Sequence, residues 1–193
     1  MTSGVPRIGI RVPQYGGTWD DIARTAVLLD GSGVDALWVN DHFQSPGREK
    51  TDATFDAFTT LGALAALTHR VRLGIAVMSA SYRPAQVATK MATVLDAISG
   101  GRLIVGLGAG SDRDEHRAYG IPFGTPSERT AGVRHTLAVM DAMWASPDGA
   151  TRQKVYSATT GSGRPASRAD ARAISTRPAS SGGPLQAATI PSA

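Results

Sequence analysis

The stretch VRLGIAVMSASYRPAQVATKMATVLDAISGGRLIVGLGAG, residues 71–110, holds one strand–helix–strand unit, and its reading decides the fold class. Val71–Ser79 is a nearly continuous apolar run, the pattern of a strand buried on both faces. Pro84 suits the first turn of a following helix, because its missing N–H is one that no intrahelical carbonyl would receive. Ser99-Gly100-Gly101 ends that helix, and Leu103–Leu107 forms the next strand. A strand, a helix and a strand in that order predict a right-handed crossover and parallel pairing.

The same alternation extends in both directions. Upstream, Val5–Val12 alternates Ile8 and Ile10 with smaller or polar residues, as a strand does. Thr18 stands as an N-cap, and Asp20 and Asp21 favour the positive end of the helix dipole. Ile22, Ala26 and Leu29 mark that helix's apolar face, which Gly31 and Gly33 close. Asp35–Asn40 is a second strand, and Phe55–Thr68 a second helix with Phe58, Leu61, Leu64, Ala65 and Leu67 on its face. Downstream, Pro126–Trp144 is the fourth helix. The chain is therefore α/β, with a β-α repeat of about 30–35 residues. An open doubly wound sheet and a (β/α)8 barrel both satisfy this order. Four units make half a barrel, since a complete one needs about 250 residues.

Composition divides the 193 residues near Ala150. Residues 1–150 carry 14 Lys and Arg against 15 Asp and Glu, whereas residues 151–193 carry six basic residues and Asp170 alone. The net charge of +4 thus belongs to the last segment, where 29 of 43 residues are Gly, Ala, Ser, Thr or Pro. Its larger apolar side chains are too sparse to offset the entropy of ordering, so a disordered tail is predicted over 149–193, after a domain at 1–148. The chain has no cysteine, which excludes disulfides, thiolate metal sites and a cysteine nucleophile. No charged segment leads into an apolar run at the N-terminus, and no apolar stretch approaches the roughly 18 residues of a membrane span. A soluble, cytoplasmic protein is expected, with no membrane partner.

Three strand ends carry candidate chemistry. Trp38-Val39-Asn40-Asp41-His42-Phe43 lies at the C-terminal end of the second strand, the end that faces ligands in parallel α/β proteins. A neutral imidazole beside a carboxylate can orient a ligand or take a proton. Asp41 as a loop cap with His42 as a packing residue is the plainer alternative. Gly106-Leu107-Gly108-Ala109-Gly110 closes the fourth strand, but its G-x-G-x-G spacing differs from the dinucleotide fingerprint. Lining for a flat cofactor and a plain turn both remain open for it. Ala76-Val77-Met78-Ser79 closes the third strand with small residues that permit a bulge or close ligand approach. Ser111–Glu115 reads as a charged loop; Glu115, His116, Glu128 and Arg129 read as solvated charges at helix ends. His69 and His135 stand at a helix end and on a helix, and no metal site is expected.

Taken together, these segments resemble the luciferase-like monooxygenase family, the bacterial-luciferase superfamily of flavin- and F420-dependent oxidoreductases. The resemblance is carried by LWVNDHF (37–43), DAFTTLGALAALTHRVRLGIAV (56–77), the segment 82–110, AYGIPF (118–123) and Glu128-Arg129, in that order. It implies a TIM barrel of which the four units are the N-terminal half. It implies coenzyme F420, or else FMN, at the C-terminal mouth of the strands, and hydride or oxygen transfer on a small organic substrate. His42 matches the catalytic histidine facing ring and substrate, and Asp41 its neighbour in the cofactor-facing turn. Ala76-Val77 matches the place of a non-prolyl cis peptide behind the ring, and Ser79 a hydroxyl near the ring's carbonyl edge. Gly108 and Gly110 match the pocket floor. Ser111 stands where a sugar-phosphate-oxidising branch carries a glutamate, which disfavours that activity.

The family's pattern is followed to about residue 146. Beyond it the expectation is a half-barrel impaired by truncation, through a shifted or early-ending reading frame, which a homodimer could complete. The alternative is a non-catalytic fragment whose basic tail holds polyanions without sequence preference; recognition of a specific nucleic acid is not expected.

Overall fold

The computed structural model describes residues 7–45, 53–145 and 155–157. Five strands, β1 (Gly9–Arg11), β2 (Ala36–Val39), β3 (Arg72–Ser79), β4 (Leu103–Gly108) and β5 (Val155–Ser157), form one parallel sheet in chain order. The helices are α1 (Trp19–Asp30), α2 (Ala57–Leu67), α3 (Ala85–Ser99), a short α4 (Arg113–Ala118) and α5 (Pro126–Ala145). Sequential parallel neighbours with a helix in each connection are the half-barrel arrangement that the resemblance implies.

Local chemistry explains most boundaries. Thr18 caps α1 with a reciprocal box, its hydroxyl accepting from Asp21 N at 3.3 Å and its own N–H donating to the Asp21 carboxylate at 3.2 Å. Asp56 accepts from Thr59 N at 2.9 Å at the start of α2. Gly100 ends α3 in the left-handed region, φ 68°, where a side chain is disfavoured. At the other end of α2, the Arg102 guanidinium donates to the Ala65, Thr68 and Val71 carbonyls at 2.7–2.9 Å, satisfying acceptors that the helix end leaves open.

The core lies between the sheet and its helices. Leu37, Val39, Leu73, Ile75, Val105 and Leu107 point from the strands against Ile22 and Ala26 of α1, Leu61 and Leu64 of α2, Ala92 and Leu95 of α3, and Met140 and Trp144 of α5. Alternate strand residues face the other way. There Trp38 is paired with Arg11 on one side and Gly74 on the other. A Cβ on either Gly9 or Gly74 would run into its indole, so these two glycines make room for one large ring.

Several expectations change. The first strand is Gly9–Arg11, shorter than expected, and Ile8 and Ile10 are exposed; β1 is an edge of the sheet among the described residues. β3 is not buried throughout: Ala76 and Val77 are exposed at the bulge between Ile75 and Met78. Pro84 precedes the helix as its N-cap rather than lying within it. The expected charged loop Ser111–Glu115 contains the start of α4, with the Asp112 carboxylate accepting from Glu115 N at 3.0 Å. Within 149–193, where no structure was expected, Val155–Ser157 pairs with β4, so β4 is not an open edge. The remainder of that segment lies outside the described residues. Among the described residues no helix is long and apolar enough to cross a membrane.

Candidate functional site

The carboxyl ends of β2, β3 and β4 enclose a cavity of about 220 Å³. All seven residues singled out from the sequence line it: Asp41 and His42 after β2, Ala76, Val77 and Ser79 at the end of β3, and Gly108 and Gly110 at the end of β4. Asn40, Tyr82, Ala109 and Ser111 complete the wall. Parallel pairing places these ends side by side, which explains how residues far apart in the chain meet.

The glycines are required where they stand. A Cβ on Gly108 would lie 2.5 Å from Val77 Cγ2, and one on Gly106 would lie 2.8 Å from the Ile75 carbonyl. Gly110 has φ 77°, and a Cβ there would approach Ser81 Oγ and Ser79 Oγ within 2.8 and 2.9 Å. The Ala76–Val77 peptide is cis.

Asp41 sits 3% exposed behind this wall. Its carboxylate accepts two bonds from Arg83 Nη1, at 2.8 and 2.9 Å, and one from Ser79 N at 2.9 Å. The second Arg83 nitrogen reaches Asp56 at 2.7 Å, and the guanidinium lies over the Phe43 and Phe58 rings at 5.3 and 4.9 Å. Burial pushes the Asp41 carboxyl up, with Arg83 pulling against it. Asp41 thus ties the ends of β2 and β3 together.

His42 is oriented by a residue the sequence did not single out for chemistry. Its Nδ1 donates to Glu115 Oε2 at 2.8 Å. The same carboxylate, with no exposed surface, accepts from the Tyr82 hydroxyl, from Phe43 N and from Gln44 N, the last at 2.9 Å. Burial alone would raise the Glu115 carboxyl, but the bonds from His42, Tyr82 and the two amides outweigh it and hold the group below its usual range. The hydrogen bond to Glu115 in turn raises His42, against the opposing effect of its own burial. Tyr82, buried and facing that carboxylate, is raised well above an ordinary phenol. With Nδ1 engaged, Nε2 is the nitrogen left for the cavity.

Glu115 and His116 are therefore not solvated charges; both are completely buried. α4 turns them inward, and the D-x-x-E spacing of Asp112 to Glu115, a helix-start pattern, was the signal that could have found them. Glu128 is exposed as expected, whereas Arg129 is half-buried with its guanidinium 4.0 Å from the Phe123 ring centre. Tyr82 and Arg83 had no periodic signature, since both act from the short connection between β3 and α3. Among the described residues no group of three or more His, Asp or Glu side chains could hold a metal ion.

The wall fits a flat heteroaromatic ring. Ala76, Val77 and Gly108 give it small, apolar backing, and a Cβ on Gly108 would collide with the Val77 side chain of that backing. His42, Ser79 and Asn40 place polar atoms around that backing, as orientation of such a ring requires.

Comparison with known proteins gives the family. The model of the luciferase-like monooxygenase family matches residues 5–189. The chain is 36% identical over 127 residues to an F420-dependent glucose-6-phosphate dehydrogenase of Beutenbergia cavernae, covering 65% of this chain and 37% of that protein. It is 33% identical over 138 residues to an uncharacterised protein of Mycobacterium tuberculosis, covering 63% of this chain and 48% of that one. Among solved structures it is similar to an F420-dependent secondary alcohol dehydrogenase bound to an F420–acetone adduct, with TM-score 0.66, 22% identity, and coverage of 73% of this chain and 42% of that chain. An FMN-bound type II Baeyer–Villiger monooxygenase of Pseudomonas putida superposes with TM-score 0.60 and 19% identity, covering 72% and 39%. The chain spans about a third to a half of the length of these relatives.

Proposed function

This chain belongs to the luciferase-like monooxygenase family, and on that premise we propose that its strand-end cavity is the ring site of an F420- or flavin-dependent oxidoreductase acting on a small organic substrate. The observation that carries the proposal is the buried Glu115 carboxylate pinning His42 at a cavity backed by Ala76, Val77 and Gly108. Coenzyme F420 is favoured over FMN, because relatives named as F420-dependent share 32–36% identity with this chain. Ser111 at the rim offers a hydroxyl and no carboxylic acid, which favours a substrate other than a sugar phosphate.

Either cofactor supplies hydride transfer when bound, and FMN oxygen chemistry as well. Residues of this chain position and protonate. Glu115 holds the imidazole in the tautomer that carries its proton on Nδ1, so neutral His42 offers Nε2 as a proton acceptor. When His42 is charged, that nitrogen donates instead, and the pair with Glu115 keeps this form accessible nearer neutrality. Asp41 and Arg83 hold the β2 and β3 ends in register, and Gly108, lacking a Cβ, leaves Val77 its place in the ring's backing.

Titrating FMN and F420 separately into the 15N-labelled chain tests this, since NMR detects binding even when it is weak. Saturable shifts are expected at the amides of His42, Ser79, Gly108 and Gly110, with F420 the tighter ligand. Shifts elsewhere, or none with either cofactor, would sink the assignment.

A further inference from the structure

His116 takes no part in that chemistry, yet it is buried and fully bonded beside the cavity. Its Nδ1 lies 2.6 Å from the Asp112 carbonyl, and its Nε2 lies 2.7 Å from Ser81 Oγ. Ser81 Oγ is in turn 2.9 Å from Ser79 Oγ, which lines the cavity. Tyr82 and Phe123 enclose the imidazole, with ring centres 4.8 and 4.9 Å away.

The direction of these bonds follows from what each atom is able to do. A carbonyl only accepts, so the proton of the imidazole is on Nδ1, donated to Asp112. In the neutral ring Nε2 then has only a lone pair, and the Ser81 hydroxyl must donate to it. With its single hydrogen committed there, Ser81 accepts from Ser79. The Ser79 hydrogen is thereby also committed, and what Ser79 turns to the cavity is a lone pair. Gly110 keeps the line intact, because a Cβ there would press on both serine oxygens and on His116 Cε1 at 3.2 Å.

We propose that His116, acting through Ser81, is a positioning residue that makes Ser79 a hydrogen-bond acceptor, so that the ring of a bound flavin or deazaflavin meets Ser79 with an N–H and not with a carbonyl. This rests on the cofactor site proposed above and reverses the polarity implied by the resemblance, which placed Ser79 at a carbonyl edge. Both ring systems carry such an N–H at position 3, between two carbonyls. The chain thereby selects how the ring is turned in the cavity: the misoriented ring sets a carbonyl lone pair against the Ser79 lone pair.

Two measurements test it. Two-bond 15N–1H correlations on the ligand-free chain are expected to show His116 protonated at Nδ1 and bare at Nε2; a proton on Nε2 would overturn the proposal whatever binds. FMN and 3-methyl-FMN, the latter lacking the N–H, are then compared by NMR titration. The native chain is expected to bind the methylated ring about five- to tenfold more weakly, the scale of one neutral hydrogen bond. Ser81→Ala frees the Ser79 hydrogen and is expected to shrink that ratio below about twofold, whereas a loss of packing alone would weaken both ligands equally. An unchanged ratio in Ser81→Ala would refute the positioning role. Failure of either flavin to bind the native chain would refute the cofactor site and the ring-edge assignment, while the nitrogen correlations would still decide the direction of the serine–histidine line.

Discussion

Four donors converge on the Glu115 carboxylate, and none of its surface meets solvent. A carboxylate so bonded stays ionised, and its bond to Nδ1 is the largest influence on His42. Glu115→Gln removes the charge while keeping the shape. The His42 titration midpoint, followed by the imidazole proton resonances, is expected above the ordinary histidine value in the native chain and to fall in the variant. A midpoint that does not move would show that Glu115 does not tune His42. His42 was readable from sequence because Asp-His at a strand end is a polar pair in an apolar context. Glu115 was not, because it lies 73 residues away and its burial depends on how α4 folds back.

Between elements, close approach decides more than propensity. Trp38 of β2 spreads across the glycines of β1 and β3, a cross-strand fit that hydrophobic periodicity does not register. Gly74→Val fills the space that the indole occupies, and overpacking of this kind costs about 1–3 kcal/mol. Urea unfolding is expected to show that loss, with much of it recovered when Trp38→Leu is added; an unchanged midpoint for Gly74→Val alone would refute the fit. Element order, by contrast, was legible. The apolar run of β3, the Thr18 cap and the Gly100 stop are local signals, and the structure keeps each of those elements to within a few residues. The short α4 escaped because five of its six residues are polar or charged and show no apolar period.

For the whole molecule, the Glu115–His42 pair couples stability to pH. Glu115 is lowered in the fold, so its contribution is complete above the ordinary carboxyl value and is lost as pH falls through the lowered one. His42 is raised, so its contribution is complete below the ordinary histidine value and is lost as pH rises through the raised one. Thermal unfolding should therefore show the pair's contribution as a plateau between the two ordinary values. Glu115→Gln is expected to be less stable than the native chain by most within that window, with the gap narrowing on either side. Asp41, raised by burial, loses stability as pH rises through the acid range, but equally in both proteins, so the difference isolates the pair. A gap independent of pH would contradict this linkage.

By itself the sequence determined the parallel α/β alternation, the Thr18 and Gly100 helix ends, the confinement of the net positive charge to residues 151–193 and the three strand ends that carry candidate chemistry. Those are local properties: hydrophobic period, capping and charge depend on neighbours within a few positions. Only the tertiary structure decided that the three ends share one cavity, that Glu115 and His116 are buried against it, and that β5 covers the edge of β4. Burial and hydrogen-bond direction depend on contacts between distant segments, and those exist only once the sheet has brought the segments together.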